Sequence, residues 1–152
     1  MTVRELRLRS SDEALAEIER LERVAERLSI EGSWSLGQVL AHCAQSIDYS
    51  IDGYPSARSA LFRATVGRLA MRAFLRRGYL SHDVVAPIPG APSLEPLSAA
   101  EGFSRLRAAL ARFAAFEGEL APHFAYGRVN KAEYDALHAM HLADHLSRVA
   151  TG

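Results

Sequence analysis

Residues His138–Leu146 read HAMHLADHL, which puts His138, His141 and His145 on one helical stretch. At 100° per residue the three fall within an arc of about 60°. They sit in the middle of an apolar stripe flanked by Tyr134, Leu137 and Val149, with Asp135, Met140, Asp144 and Ser147 off it. One histidine on an apolar face is ordinarily a core residue satisfied by one hydrogen bond. Three stacked there demand more, because each imidazole has two nitrogens to satisfy. Each polar group left unpaired costs about 1–3 kcal/mol. A shared cation would satisfy three nitrogens at once, and the i,i+4 pair His141 and His145 has the spacing of helical His-x-x-x-His metal sites. His138, one turn earlier, is open to three readings: ligand, outer-shell group or proton carrier.

A third ligand has to come from another helix, and His42 is the best candidate. Periodicity puts it about 120° from the centre of its helix's apolar stripe, near Ser35, Gln38, Ser46 and Tyr49. That leaves two readings, an exposed histidine or one facing a polar groove between helices. His82 and His123 fall in expected loops and are weaker candidates. Three neutral imidazoles would leave a divalent ion its full charge and an open position. Water or a thiol bound there loses a proton far more readily, giving a hydroxide or thiolate nucleophile at neutral pH. The expected chemistry is metal-activated nucleophilic attack on a small electrophile. Ser46, Asp48 and Asp144 are candidates to orient the ligands. His138, His123, Tyr126 and Tyr49 are candidates to line the pocket, with His138 and Tyr126 the candidate catalytic side chains. The plainer reading makes Tyr126-Gly127 a turn and His123 a loop residue.

Five helices would have to position these groups. Ser10 with Glu13 forms a capping box opening a helix to about Leu28, and Ser35 with Gln38 opens another to about Ile51. Gly53-Tyr54-Pro55 ends the second. A third covers about Ala57 to Arg77 and stops at Gly78. Pro87, Pro89, Pro92 and Pro96 leave residues 79 to 97 as a long extended connection. Ser98 with Glu101 opens a fourth helix to about Leu120, and Asn130 with Glu133 a fifth to about Val149. No segment of five or more residues alternates like a half-buried strand. The expectation is all-α: a four-helix bundle, one additional helix and a proline-rich crossover.

The chain has 152 residues, which suits a single domain over 1–152, and 49% are apolar, enough for one core. Lys+Arg and Asp+Glu balance at 18 each, so charge points to neither nucleic acid nor an acidic membrane. The lone Cys43 excludes an internal disulfide, and a cytoplasmic setting is the simpler expectation. The charged N-terminus does not read as a signal peptide, and no apolar run reaches the roughly 20 residues of a membrane span. Arg68, Arg72 and Arg76 share a helical face. They could hold an anion, but pairing with the acid-rich first helix is the favoured reading. Cys43 lies on the apolar face beside His42 and reads as a buried structural thiol.

WSLGQVLAHCAQSIDYSIDGYP from Trp34 and PHFAYGRVNKAEYDALHAMHLADHL from Pro122 resemble the second-helix and final-helix motifs of the DinB/YfiT-like superfamily. With GYP after the first motif and IPGAP at Ile88–Pro92, the chain is most similar to a branch described only as a domain of unknown function. The resemblance runs from about Ser10 to Val149. It implies a four-helix bundle holding a divalent metal through three histidines, with His42 matching the second-helix ligand and His141 and His145 the final-helix pair. It also implies zinc or nickel, and a low-molecular-weight thiol as co-substrate in several relatives, among them maleylpyruvate isomerase-like enzymes and thiol S-transferases. Relatives often form homodimers. Where many carry a second histidine just before the last ligand, this chain has Asp144. The function expected is that of a metal-dependent transferase, isomerase or hydrolase acting on a small molecule. A non-enzymatic metal-binding bundle is the alternative.

Overall fold

A computed structural model describes residues 4–81 and 86–152. The chain is mostly helical. Helix α1 spans Ser11–Glu22, and a 3-10 turn, Ala25–Arg27, leads into strand β1, Leu28–Ile30. Helix α2 follows at Leu36–Asp52. The next helical run is interrupted: α3, Ala60–Phe62, passes through one π turn, Arg63–Gly67, into α4, Arg68–Arg77. Helices α5, Ala99–Ala115, and α6, Lys131–Leu146, complete the set before strand β2, Val149–Thr151.

The caps explain most helix starts. Ser35 accepts from the Gln38 amide while Gln38 takes the Ser35 amide, and Ser98–Glu101 and Asn130–Glu133 repeat that exchange. Ser10 also accepts from the Glu13 amide, but the Glu13 carboxylate takes the Arg9 N–H instead. Gln38 in addition donates to the Leu94 carbonyl at 3.1 Å and so ties the crossover to α2. Gly78, in the left-handed region at φ 79°, ends α4.

Helices α1, α2, α5 and α6 surround one core, α1 and α2 each touching both α5 and α6. Ile18, Leu21, Leu40, Phe103, Leu106, Phe113, Tyr134 and Leu142 are all but inaccessible within it. Helices α2 and α5 approach most closely where Gly37 and Gly102 face each other. A Cβ on Gly37 would come within 2.2 Å of the Leu97 carbonyl oxygen. No helix among the described residues is long and apolar enough to cross a membrane.

Four boundaries differ from expectation. The first helix stops at Glu22 rather than near Leu28, and the last at Leu146 rather than near Val149, because the segments beyond them pair with each other. Strands β1 and β2 are antiparallel, with Leu28 opposite Thr151 and Ile30 opposite Val149. The all-α expectation holds broadly, the chain being mostly helical, with the addition of a two-stranded sheet three residues long. Leu28 and Val149 still reach the core, from strands instead of helices. The third helix begins at Ala60, not Ala57, because Ser59 caps it and the Arg58 N–H goes to the Phe124 carbonyl at 2.8 Å. The fourth ends at Ala115, where Lys131 Nζ donates to the Ala114 and Phe116 carbonyls at 3.0 and 2.6 Å.

The favoured pairing of the arginine face with the first helix is also corrected. Glu17 binds Arg4 at 2.5 Å and Arg20 at 2.8 Å, and Glu22 binds Arg107. Helix α4 lies against α6, and Arg68 donates to the Arg128 carbonyl at 2.6 Å.

Candidate metal centre

His42 comes from the middle of α2, and His141 and His145 stand one turn apart on α6. The His42 and His141 Nε2 atoms are 3.3 Å apart, and those of His141 and His145 3.1 Å. One ligating nitrogen from each of the three lies within 4.8 Å of the other two. Zinc–imidazole bonds of about 2.05 Å at tetrahedral angles put nitrogens roughly 3.3 Å apart. The observed spacings fit that geometry. One N–H···N bond joins two imidazole nitrogens at a time, whereas one cation accepts all three lone pairs. The three histidines can thus form a metal site.

His42 is only 3% exposed and His145 1%. Burial of His42 departs from the single-stripe reading of α2. That helix is covered by α5 on one flank and α6 on another, so Ala41, His42 and Ala44 are buried along with Leu36, Val39, Leu40, Cys43 and Ile47. The exposed histidine is not found. His42 faces two other histidines inside the protein, with the Trp34 ring 5.0 Å away.

A cavity of about 310 Å³ opens on the His42 and His141 side of this cluster. His145 does not line it and closes the cluster from behind. The cavity wall includes Ser46, His123, Tyr126 and His138, each a sequence candidate, together with Tyr54, Phe74, Phe124, Tyr134 and Leu137. Ser81 and Ala86–Pro89 also line it, so the proline-rich connection contributes to the site. His82 lies outside the described residues. Tyr54 and Phe74 escaped sequence reading. The only signal for Tyr54 was its place immediately after the Gly53 turn.

His138 stands apart from the cluster of three. Its Nε2 lies 3.1 Å from Ser50 Oγ, and that hydroxyl donates its own proton to the Ile47 carbonyl at 2.6 Å. His138 must therefore be the donor, with its proton on Nε2. The ring stacks on Tyr134 and meets Phe113 edge-on. Burial pushes its pKa down to about 3, so it stays neutral through the physiological range. Tyr126 is held protonated, its pKa raised to about 12 by burial.

Two other candidates go elsewhere. Asp48 binds Arg112 at 2.9 Å on the surface, and Tyr49 borders a different cleft beside Arg112. Neither belongs to this site. Asp144 borders a cleft with Arg4, Leu6, Met140 and Ser147. Cys43 is buried, and desolvation, aided by the Asp144 charge, raises its thiol well above the usual range. It fits the structural reading.

A model of the protein family described as "Protein of unknown function (DUF1569)" matches residues 1–151. No curated protein and no solved structure matches the chain.

Proposed function

We propose that this chain, which belongs to the DUF1569 family, is a divalent-metal-dependent enzyme acting on a small molecule, with water or a low-molecular-weight thiol as co-reactant. The observation that carries the reading is the convergence of three imidazole nitrogens, from two helices, at the wall of a cavity large enough for a small ligand. The resemblance of its two histidine motifs to those of DinB/YfiT-like proteins supports it and favours zinc or nickel.

His42, His141 and His145 would hold the ion, and among the described residues they are the only such group. When bound, the ion supplies Lewis acidity that lowers the pKa of water or a thiol. The rest is the work of the chain. His145 and Trp34 shield the back of the site, and His42 and His141 present its front to the cavity. Buried aromatic walls exclude bulk water and strengthen electrostatic effects inside. His138 and Tyr126 serve as neutral hydrogen-bonding groups on that wall, not as an acid–base pair, because burial holds each in its uncharged form. The reaction class is transfer, isomerisation or hydrolysis, in the cytoplasm, without nucleic acid or membrane as partner. A homodimer accords with the same resemblance.

Cobalt-loaded protein tests the reading. Adding 2-mercaptoethanol should produce a sulfur-to-cobalt charge-transfer band, because an enzyme of this type needs a coordination position open to a co-reactant. A cobalt spectrum indifferent to thiol and to added small anions would favour the alternative, a closed structural metal site.

A further inference from the structure

We propose that His123 is a fixed neutral hydrogen-bond donor that orients the substrate, and that the cavity takes an uncharged, flat aromatic molecule bearing a carbonyl-type acceptor. The proposal builds on the enzymatic reading of the site, but the binding it predicts does not require the metal.

The loop that carries His123 is closed on itself. His123 N–H donates to the Gly127 carbonyl at 2.8 Å and Gly127 N–H to the His123 carbonyl at 3.1 Å, with Gly127 in the left-handed region at φ 72°. The loop is seated on the π turn. A Cβ at Gly67 would stand 1.8 Å from the Ala125 carbonyl oxygen, so only glycine lets the loop lie this close. Inside the loop, His123 Nδ1 accepts from the backbone N–H groups of Ala125 at 3.1 Å and Tyr126 at 3.3 Å. A ring nitrogen that accepts two N–H bonds carries a lone pair, so the proton of the neutral ring is on Nε2. With Nδ1 turned to the loop's own amides, Nε2–H is directed away from them, and the residue lines the cavity. Tyr126 stacks on the ring at 4.2 Å and 9°, fixing its plane. Burial, reinforced by His138, pushes the His123 pKa down to about 3, which keeps the donor neutral.

The rest of the wall sets the substrate class. Among the described residues no Lys, Arg, Asp or Glu lines the cavity. Without a metal ion, a carboxylate, phosphate or ammonium entering it would lose its water with no opposite charge in return. Tyr54, Phe74, Phe124 and Tyr126 instead offer ring faces and edges to a flat apolar body.

The test titrates benzamide, benzoate, benzylamine and toluene into metal-free and zinc-loaded protein, followed by amide nitrogen–proton spectra. In the metal-free protein benzamide should bind at least about 10-fold more tightly than either charged probe. It should also exceed toluene by about 3- to 10-fold, the worth of one neutral hydrogen bond. That margin over toluene should vanish in His123→Phe, which keeps a ring. In His123→Asn, which keeps an acceptor for the loop amides should the first variant fail to fold, the margin should shrink. Long-range ring spectra of His123 should show the Nε2–H tautomer unchanged from pH 8 to pH 5. Equal or tighter binding of a charged probe to the metal-free protein overturns the proposal. So does no binding of benzamide at millimolar concentration, a margin unchanged by both substitutions, or an Nδ1–H or imidazolium ring. Absence of zinc uptake would defeat the metal-enzyme reading alone, since the probe series also runs without metal.

Discussion

Acid should destabilise this protein through His138, by an amount its surroundings fix. The ring lies between Tyr134 and Phe113, and its Nε2 proton is committed to Ser50 because Ser50 spends its own on Ile47. A second proton would have to enter at Nδ1 and bring an unscreened charge with it. The folded pKa is therefore low, about 3, against about 6.5 in the unfolded chain. The folded-state value is depressed, so between pH 6.5 and pH 3 the unfolded state binds the extra proton and stability falls with pH. From pH 7 to pH 5 this one group should remove about 2 kcal/mol. Other groups contribute to the pH dependence of stability, so the measurement is a difference. Urea unfolding of wild type and His138→Asn, both metal-free, is recorded at pH 7, 6 and 5. Those contributions cancel to the extent that their coupling to position 138 is small. Wild type should lose about 2 kcal/mol more than the variant across that range, whichever is more stable at pH 7. Parallel curves would mean that His138 takes up its proton in the folded state, and the account of its burial and fixed tautomer would fail.

Further perturbations probe the frame. Gly67→Ala should lower stability by about 1–3 kcal/mol in urea melts, because its Cβ meets the Ala125 carbonyl; unchanged stability would show that the 123–127 loop does not rest there. Gly37→Ala should cost at least as much, since the obstructing atoms at the α2–α5 crossing are backbone oxygens of Leu97 and Ser98. Cys43 should react with a thiol reagent only as fast as the protein opens, and immediate labelling of native protein would contradict its burial.

Parts of this structure were legible in the sequence because their causes are local. The exchange between Ser35 and Gln38, or Ser98 and Glu101, needs only three residues of spacing, and those helices begin where the pattern says. The four-residue spacing of His141 and His145 likewise fixes their shared face. What stayed hidden depends on distant neighbours. Periodicity assigns α2 one apolar stripe, but α5 and α6 cover two flanks, and His42 is buried by the second. The pairing of Leu28–Ile30 with Val149–Thr151 joins segments near opposite ends of the chain and is too short to show an alternation. The role of the Tyr126-Gly127 turn is of the same kind. Its own sequence predicts a turn, whereas its place at the cavity is set by the bare backbone of Gly67.

Metal analysis of the purified protein beside His42→Ala and His145→Ala, each reconstituted with zinc and freed of excess, tests the central claim most directly. Wild type should retain one ion per chain, and both variants should lose nearly all of it while remaining folded by circular dichroism. Equal retention in all three, or none in wild type, would contradict a shared cation between α2 and α6.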